Sequence, residues 1–324
     1  MAQAAVKKEL SFVTKKKKAE IKVQVKKKKK IGDIILSLAS WLVAHFLPFT
    51  QRYCREVTVT FGLTDRYGVV GHGKYANMFG TARELYGMKH IPWFSKDAGR
   101  KYFMKTHDAI YLHYHDFTFG DVIKIIMEVV KVNSASFKLR GKFVNKKTKK
   151  VYAIAYQTIV YADMQGRPRR FPRWLKIVLK LSCSPLVDSL DSAISRINKV
   201  NVTKGCEIFQ RQVIVTSDMT NAEKNVSHDE YAKMLMQSIE LFLLNQTKDS
   251  KVCSFGIAEG SYDYKRDFFF GDDIFIKLSI DEVGKNFAIF VADFCDQSGY
   301  IHSRGRQKIQ FIKSVGDVLD TILP

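Results

Sequence analysis

His72-Gly-Lys-Tyr75-Ala-Asn-Met78 is answered by His228-Asp-Glu-Tyr231-Ala-Lys-Met234, 156 residues further along the chain. Asp116-Phe-Thr-Phe-Gly-Asp121 is answered by Asp267-Phe-Phe-Phe-Gly-Asp272, at an offset of 151. Two separate matches, in the same order and at nearly one spacing, mark an internal duplication. The first motif opens a helix, predicted from about Lys74. Tyr75, Met78, Phe79, Ala82 and Leu85 or Tyr86 recur at i, i+3, i+4 and i+7, which defines one buried face. In the second copy, Ser227 with Glu230 three residues on predicts a capping box.

The surroundings of the first motif read as sheet. Glu56 to Phe61 alternates as a strand, and the loop Leu63-Thr64-Asp65-Arg66-Tyr67-Gly68 follows. Past Pro92, strand-like segments dominate from Ala109 to Ala162, namely Val122–Val132, Ser136–Val144 and Val151–Ala162. Asn145-Lys-Lys-Thr148 separates the last two as a hairpin turn. Strand, long helix and antiparallel meander is the order of an α+β unit whose sheet wraps a helix. The amphipathic run Trp174–Leu181 predicts a connecting helix. The expected organisation is a tail with an apolar helix over 1–50, a first unit over 51–173, a linker over 174–204 and a degenerate second copy over 205–324.

Composition agrees with two folded units. A chain of 324 residues, 46% apolar and 26% charged, is long enough for two domains and can bury a core. Its five cysteines are odd in number and scattered, without a C-x-x-C pair. This argues against a disulfide framework or a zinc site and for reduced thiols in a cytoplasm-like compartment. The net charge of +21 is unevenly spread. Residues 1–50 carry 12 lysines against 3 acids, 51–204 carry 28 basic against 11 acidic residues, and 205–324 carry 13 against 18. An anionic partner of the first half is therefore expected.

The lysine runs 15–18 and 26–30 read as a solvated tail. Residues 34–51 are uncharged and rich in Ile, Leu, Trp and Phe, with a helical part of about 14 residues, short of the ~20 that span a bilayer. Two readings stand: a helix lying on an anionic membrane surface, aided by the lysines, or a helix docked on the protein itself. No convincing secretory signal is present.

The first unit resembles the 4-hydroxybenzoyl-CoA thioesterase type of hotdog protein. The matching residues are Thr64-Asp65-Arg-Tyr-Gly68-Val-Val70-Gly71-His72-Gly73-Lys-Tyr75, then Ala82-Arg83, Tyr111-Leu-His-Tyr-His-Asp-Phe-Thr-Phe-Gly120-Asp121 and Tyr161-Ala-Asp-Met-Gln-Gly-Arg167-Pro168. The second unit matches through its helix start and its Phe-Gly-Asp turn but not through the acidic loop. The resemblance implies two tandem hotdog domains, each an antiparallel sheet around a long helix, pairing side by side as an intrachain pseudo-dimer. It implies a cleft between them for the pantetheine arm and acyl chain of acyl-CoA or an acyl carrier protein, and no cofactor. Asp65 falls on the family's catalytic carboxylate, a nucleophile or general base, and His72 on the helix start whose amide contributes to an oxyanion hole. A homodimer of such pseudo-dimers is compatible with the family.

Residue chemistry points the same way. Thioester hydrolysis needs a carboxylate that attacks or activates water, and donors for the developing oxyanion. A helix N-terminus offers such donors, and Gly68, Gly71 and Gly73 let backbone approach a substrate. Arg167 and Arg169, with Lys146, Lys147, Lys149, Lys150, Arg170 and Arg173, could meet coenzyme A phosphates or an acidic carrier; a solvated hairpin and strand end is the bland alternative. Asp65 as a turn residue and His72 as a structural histidine are the corresponding alternatives there. Glu84 reads as an ion-pair partner. His113, His115 and Asp116 follow along a strand, which puts His113 and His115 on one face, and they read as cleft lining or surface.

In the second copy Asn221 replaces Asp65 and Lys224 replaces Gly68. Asn cannot act as a general base, so one working site at the Asp65 loop is expected. Other readings stay open: a dehydratase pairing His72 with Asp218, Glu223 or Asp229 of the second unit, and a non-catalytic acyl-binding subunit. A nucleic-acid partner is not expected, because no recognisable module interleaves the basic and aromatic residues.

Overall fold

The computed structural model describes residues 53–65, 68–90, 102–163, 165–184, 207–221, 224–246 and 255–311. The expectations for the tail, the apolar run 34–51, most of the linker and Glu223 lie outside the described residues.

Each half runs strand, helix, four strands. The first comprises β1 (Tyr53–Thr58), α1 (His72–His90), β2 (Tyr102–His113), β3 (Val122–Val132), β4 (Ser136–Asn145) and β5 (Val151–Asp163). Then come α2 (Arg173–Leu181) and the second half: β6 (Glu207–Ile214), α3 (His228–Gln246), β7 (Phe255–Tyr264), β8 (Asp273–Val283), β9 (Phe287–Cys295) and β10 (Ile301–Phe311). All ten strands form one antiparallel sheet in the order β1-β3-β4-β5-β2-β7-β10-β9-β8-β6. Matching the halves makes this order a palindrome. At its centre β2 pairs with β7, and Ile110 lies opposite Ser261, its own counterpart at the 151 offset. A pseudo-two-fold therefore passes through that pair, as the tandem hotdog arrangement requires.

Alternation directs one face of each strand inward. Ile123, Ile125, Met127 and Val129 of β3 are buried, as are Ile274, Ile276 and Leu278 of β8. They meet the helix faces Tyr75, Ala76, Phe79, Ala82 on α1 and Tyr231, Ala232, Leu235, Ile239 on α3. The two helices pack antiparallel: Asn77 donates to Asp229 (3.0 Å), and Gly73 lies against Lys233. One apolar core thus runs through both halves. No described helix is long and apolar enough to cross a membrane.

Three local expectations are corrected. The first strand is Tyr53–Thr58, because Val59 leaves it to bond Asp121 and Gly120, and Phe61–Leu63 forms a 3-10 turn. β2 ends at His113, so His113 and His115 do not share a strand face: the first ring packs on His72, the second on Tyr152. The capping box does not form. Ser227 donates instead to Asp229 (2.6 Å), and Glu230 pairs with Lys233. The expected connecting helix is present as α2, with Leu175, Val178 and Leu179 buried.

Candidate active site

The Asp65 loop is a tight, self-bonded turn. The Asp65 amide donates to Val69 O (2.8 Å) and Gly68 N–H to Asp65 O (3.0 Å), while Val69 N–H reaches the Asp65 carboxylate at 3.3 Å. Gly68 sits at φ +77°, the left-handed region open to glycine at little cost. Val70 is buried and donates to Phe117 O, which ties the loop to the turn after β2. Gly71 leads into α1, so Asp65 stands just before a helix N-terminus whose first peptide N–H groups lack intrahelical acceptors.

The second half repeats the backbone bonds of this loop. Asn221 N–H donates to Asn225 O, Lys224 N–H to Asn221 O and Val226 N–H to Phe268 O. Lys224 even holds φ +63° without being glycine. The backbone is therefore conserved between copies, and the carboxylate is what differs.

Each loop borders a cleft made by both halves. The first is lined by Asp65, His72, His113 and Asp116 from the first unit and by Met236 and Phe255–Ile257 from the second. Burial and the neighbouring Asp65 charge raise the Asp116 pKa. His72 is buried, with Nδ1 2.8 Å from His113 Nε2 and Nε2 3.0 Å from the Tyr262 hydroxyl. Gln307 also donates to that hydroxyl (2.6 Å). Burial holds His72 well below the usual imidazole range and brings His113 down to about 4, so both rings are neutral at physiological pH. Tyr75 is buried with its ring against His113 and Phe143.

The second cleft lies between Asn221, Asn225, His228 and Asp229 and the first unit's Gly80, Arg83, Glu84, Lys105 and Thr106. His228 Nε2 is 3.1 Å from Gln157, which also bonds Tyr111 and Arg83. Burial, then Arg83, brings the His228 pKa down to about 4. Asp229 is kept ionised despite burial by Ser227 and Asn77. Asp218 and Asp229 both border this cleft, not that of Asp65, which separates them from His72.

Most of the expected site residues come together: Asp65, Val70, Gly71 and His72 line one cleft, with Gly68, Gly73 and Tyr75 in the same loop and helix turn. Arg167 and Arg169 do not join them. They fold around Asp163 in the turn after β5, where its carboxylate accepts from Arg167 N–H (2.9 Å) and Arg169 Nη2 (2.7 Å). Lys146, in the turn at the other end of β5, pairs with Glu56 (2.6 Å). Glu84 is largely exposed, 3.8 Å from Arg83. Tyr262, Gln307 and Met236 were missed from the sequence. Tyr262 and Gln307 echo Tyr111 and Gln157 at offsets of 151 and 150, a signal that aligning the copies exposes. Among the described residues, no group of three His, Cys, Asp or Glu is placed to hold a metal ion.

Residues 59–179 match the model of the Thioesterase-like superfamily. No curated protein matches the chain. Among solved structures, the 12:0-ACP thioesterase from Umbellularia californica is similar with a TM-score of 0.67 at 11% identity, over 80% of this chain and 97% of that one. An acyl-ACP thioesterase from Bacteroides thetaiotaomicron is similar at 0.62 and 12% identity, over 79% and 97%. The fold is a tandem hotdog, and its first unit carries the sequence signature of the Thioesterase-like superfamily.

Proposed function

We propose that the chain is a thioester hydrolase acting on acyl groups carried by an acyl carrier protein or coenzyme A. The observation that carries this reading is the position of Asp65, a carboxylate before the α1 N-terminus in a cleft built by both halves. The acyl-ACP thioesterases that share the fold support the choice of carrier.

In one route the Asp65 carboxylate attacks the thioester carbonyl, the carbon–sulfur bond breaks, and the sulfur leaves as a thiolate that takes a proton from solvent; water then cleaves the mixed anhydride and frees the Asp65 carboxylate. In the other, Asp65 takes a proton from water as that water attacks the carbonyl; the tetrahedral intermediate then collapses, the carbon–sulfur bond breaks, and the thiolate leaves with the proton that Asp65 took. Both routes place negative charge on the carbonyl oxygen, where amides heading α1 stabilise it. Both ring nitrogens of His72 are occupied by His113 and Tyr262. Its part in this scheme is therefore its backbone and the anchoring of the helix start, not proton transfer.

The test is hydrolysis by the purified full chain across acyl-CoA and acyl-carrier substrates of rising length, with Asp65→Asn alongside. Turnover by the wild type that is lost in a folded Asp65→Asn supports the reading. Full rate in the variant refutes the role of Asp65.

A further inference from the structure

The duplication relates the two clefts, so comparing them position by position isolates what differs. At the helix offset of 156, Met236 on α3 takes the place of Gly80 on α1. At the strand offset of 151, Phe255, Gly256 and Ile257 on β7 take the places of Met104, Lys105 and Thr106 on β2. The first set lines the Asp65 cleft and the second the Asn221 cleft. One wall is therefore apolar. The other carries Lys105, 2.7 Å from Asp267, and Thr106, which accepts a hydrogen bond from Arg83. An alkyl chain gains about fourfold in affinity for each methylene buried against apolar atoms, and ionic groups offer it no such gain.

The apolar cleft is also the smaller of the two. Its cavity measures about 30 Å³, against about 370 Å³ for the Asn221 cleft. The difference between the helices at this level is one side chain. A Cβ built at Gly80 would lie 2.9 Å from Cε1 of His228, so the α1 backbone rests directly against that ring. At the equivalent place on α3 a whole methionine must be housed, and it borders the cleft beside His72. Met236 is only partly buried and packs on the core from its edge. Its unbranched side chain has three rotatable bonds, which suits it to move without disturbing the helix.

We propose that Met236 is the specificity-determining gate of the Asp65 cleft. Its side chain narrows the cleft where the twin has only Gly80, and a linear alkyl chain lies beside it along Phe255 and Ile257. The inference rests on the thioesterase reading of the same cleft, and it names the occupant as an aliphatic chain whose length the gate limits.

The full chain is compared with Met236→Ala and Met236→Phe in two assays. One is kcat/KM over saturated acyl-CoA esters of rising length; the other is affinity for the matching non-cleavable acyl-CoA thioethers. Met236→Ala is expected to favour the longest chains relative to the shortest by on the order of tenfold, the equivalent of two or so methylenes. Met236→Phe is expected to lose the longer chains and keep the shortest. Identical chain-length profiles in all three proteins, in both assays, overturn the gate and leave the thioesterase reading standing. A wild type that cleaves no ester, yet whose thioether profile shifts in the variants, keeps the gate and overturns the hydrolase.

Discussion

The Nε2 atom of His72 lies 3.0 Å from the hydroxyl of Tyr262, across 190 residues of chain and on the other hotdog unit. The first residue of the helix behind Asp65 is thus held by the second half of the molecule. His228, its counterpart on the second helix, is held from the first half by Gln157, the equivalent of Gln307 and not of Tyr262. Neither cleft is complete within one unit.

Tyr262→Phe removes a buried partner from both His72 and Gln307. Stranding buried polar groups costs about 1–3 kcal/mol. Urea unfolding should show that loss, and turnover should fall with it. Tyr300→Phe, at an exposed tyrosine, is the control and should leave both within error.

Stability should fall on acidification below about pH 6.5. His113 and His228 have folded pKa values of about 4, depressed by burial, and His72 is depressed further still. With the unfolded imidazole near 6.5, the unfolded chain binds protons first as pH drops. Stability is thus full above pH 6.5 and is lost progressively down to about 4, by roughly 3 kcal/mol for each of His113 and His228. Urea midpoints from pH 7.5 to 4.5 measure this. A flat profile would show that these rings are not buried neutral.

Lys224→Gly should stabilise the protein. Lys224 holds φ +63° where the first unit uses Gly68, and an L side chain costs roughly 1 kcal/mol in that region. Part of the gain is offset by the extra freedom of glycine when unfolded. Thermal unfolding should shift upward, and Gly68→Ala should shift it downward.

Much of the architecture is legible in the sequence because the duplication is. Repeated His-x-x-Tyr and Phe-Gly-Asp motifs fix the helix starts and the turns before β3 and β8, and β3 spans Val122–Val132 as its strand-like composition predicts. The failures are local and physical. The Ser227 hydroxyl donates to Asp229 instead of accepting from the Glu230 N–H, and the chain leaves β2 at His113 although the residues beyond it look strand-like. The opposed character of the two clefts is harder to read. It depends on Met236 and Phe255 crossing the pseudo-two-fold to face Asp65, a pairing that no local window contains.

The rate of thioester cleavage in two alanine variants, Asp65→Ala and Asn221→Ala, probes the heart of the account. These side chains occupy the same turn of twin loops with matching hydrogen bonds. Losing the carboxylate should slow cleavage on the order of 10²–10⁴-fold, as expected for a positioned base, while losing the amide should change it by less than about threefold. Equal losses, or a greater loss at Asn221, would move the chemistry to the other cleft and contradict it.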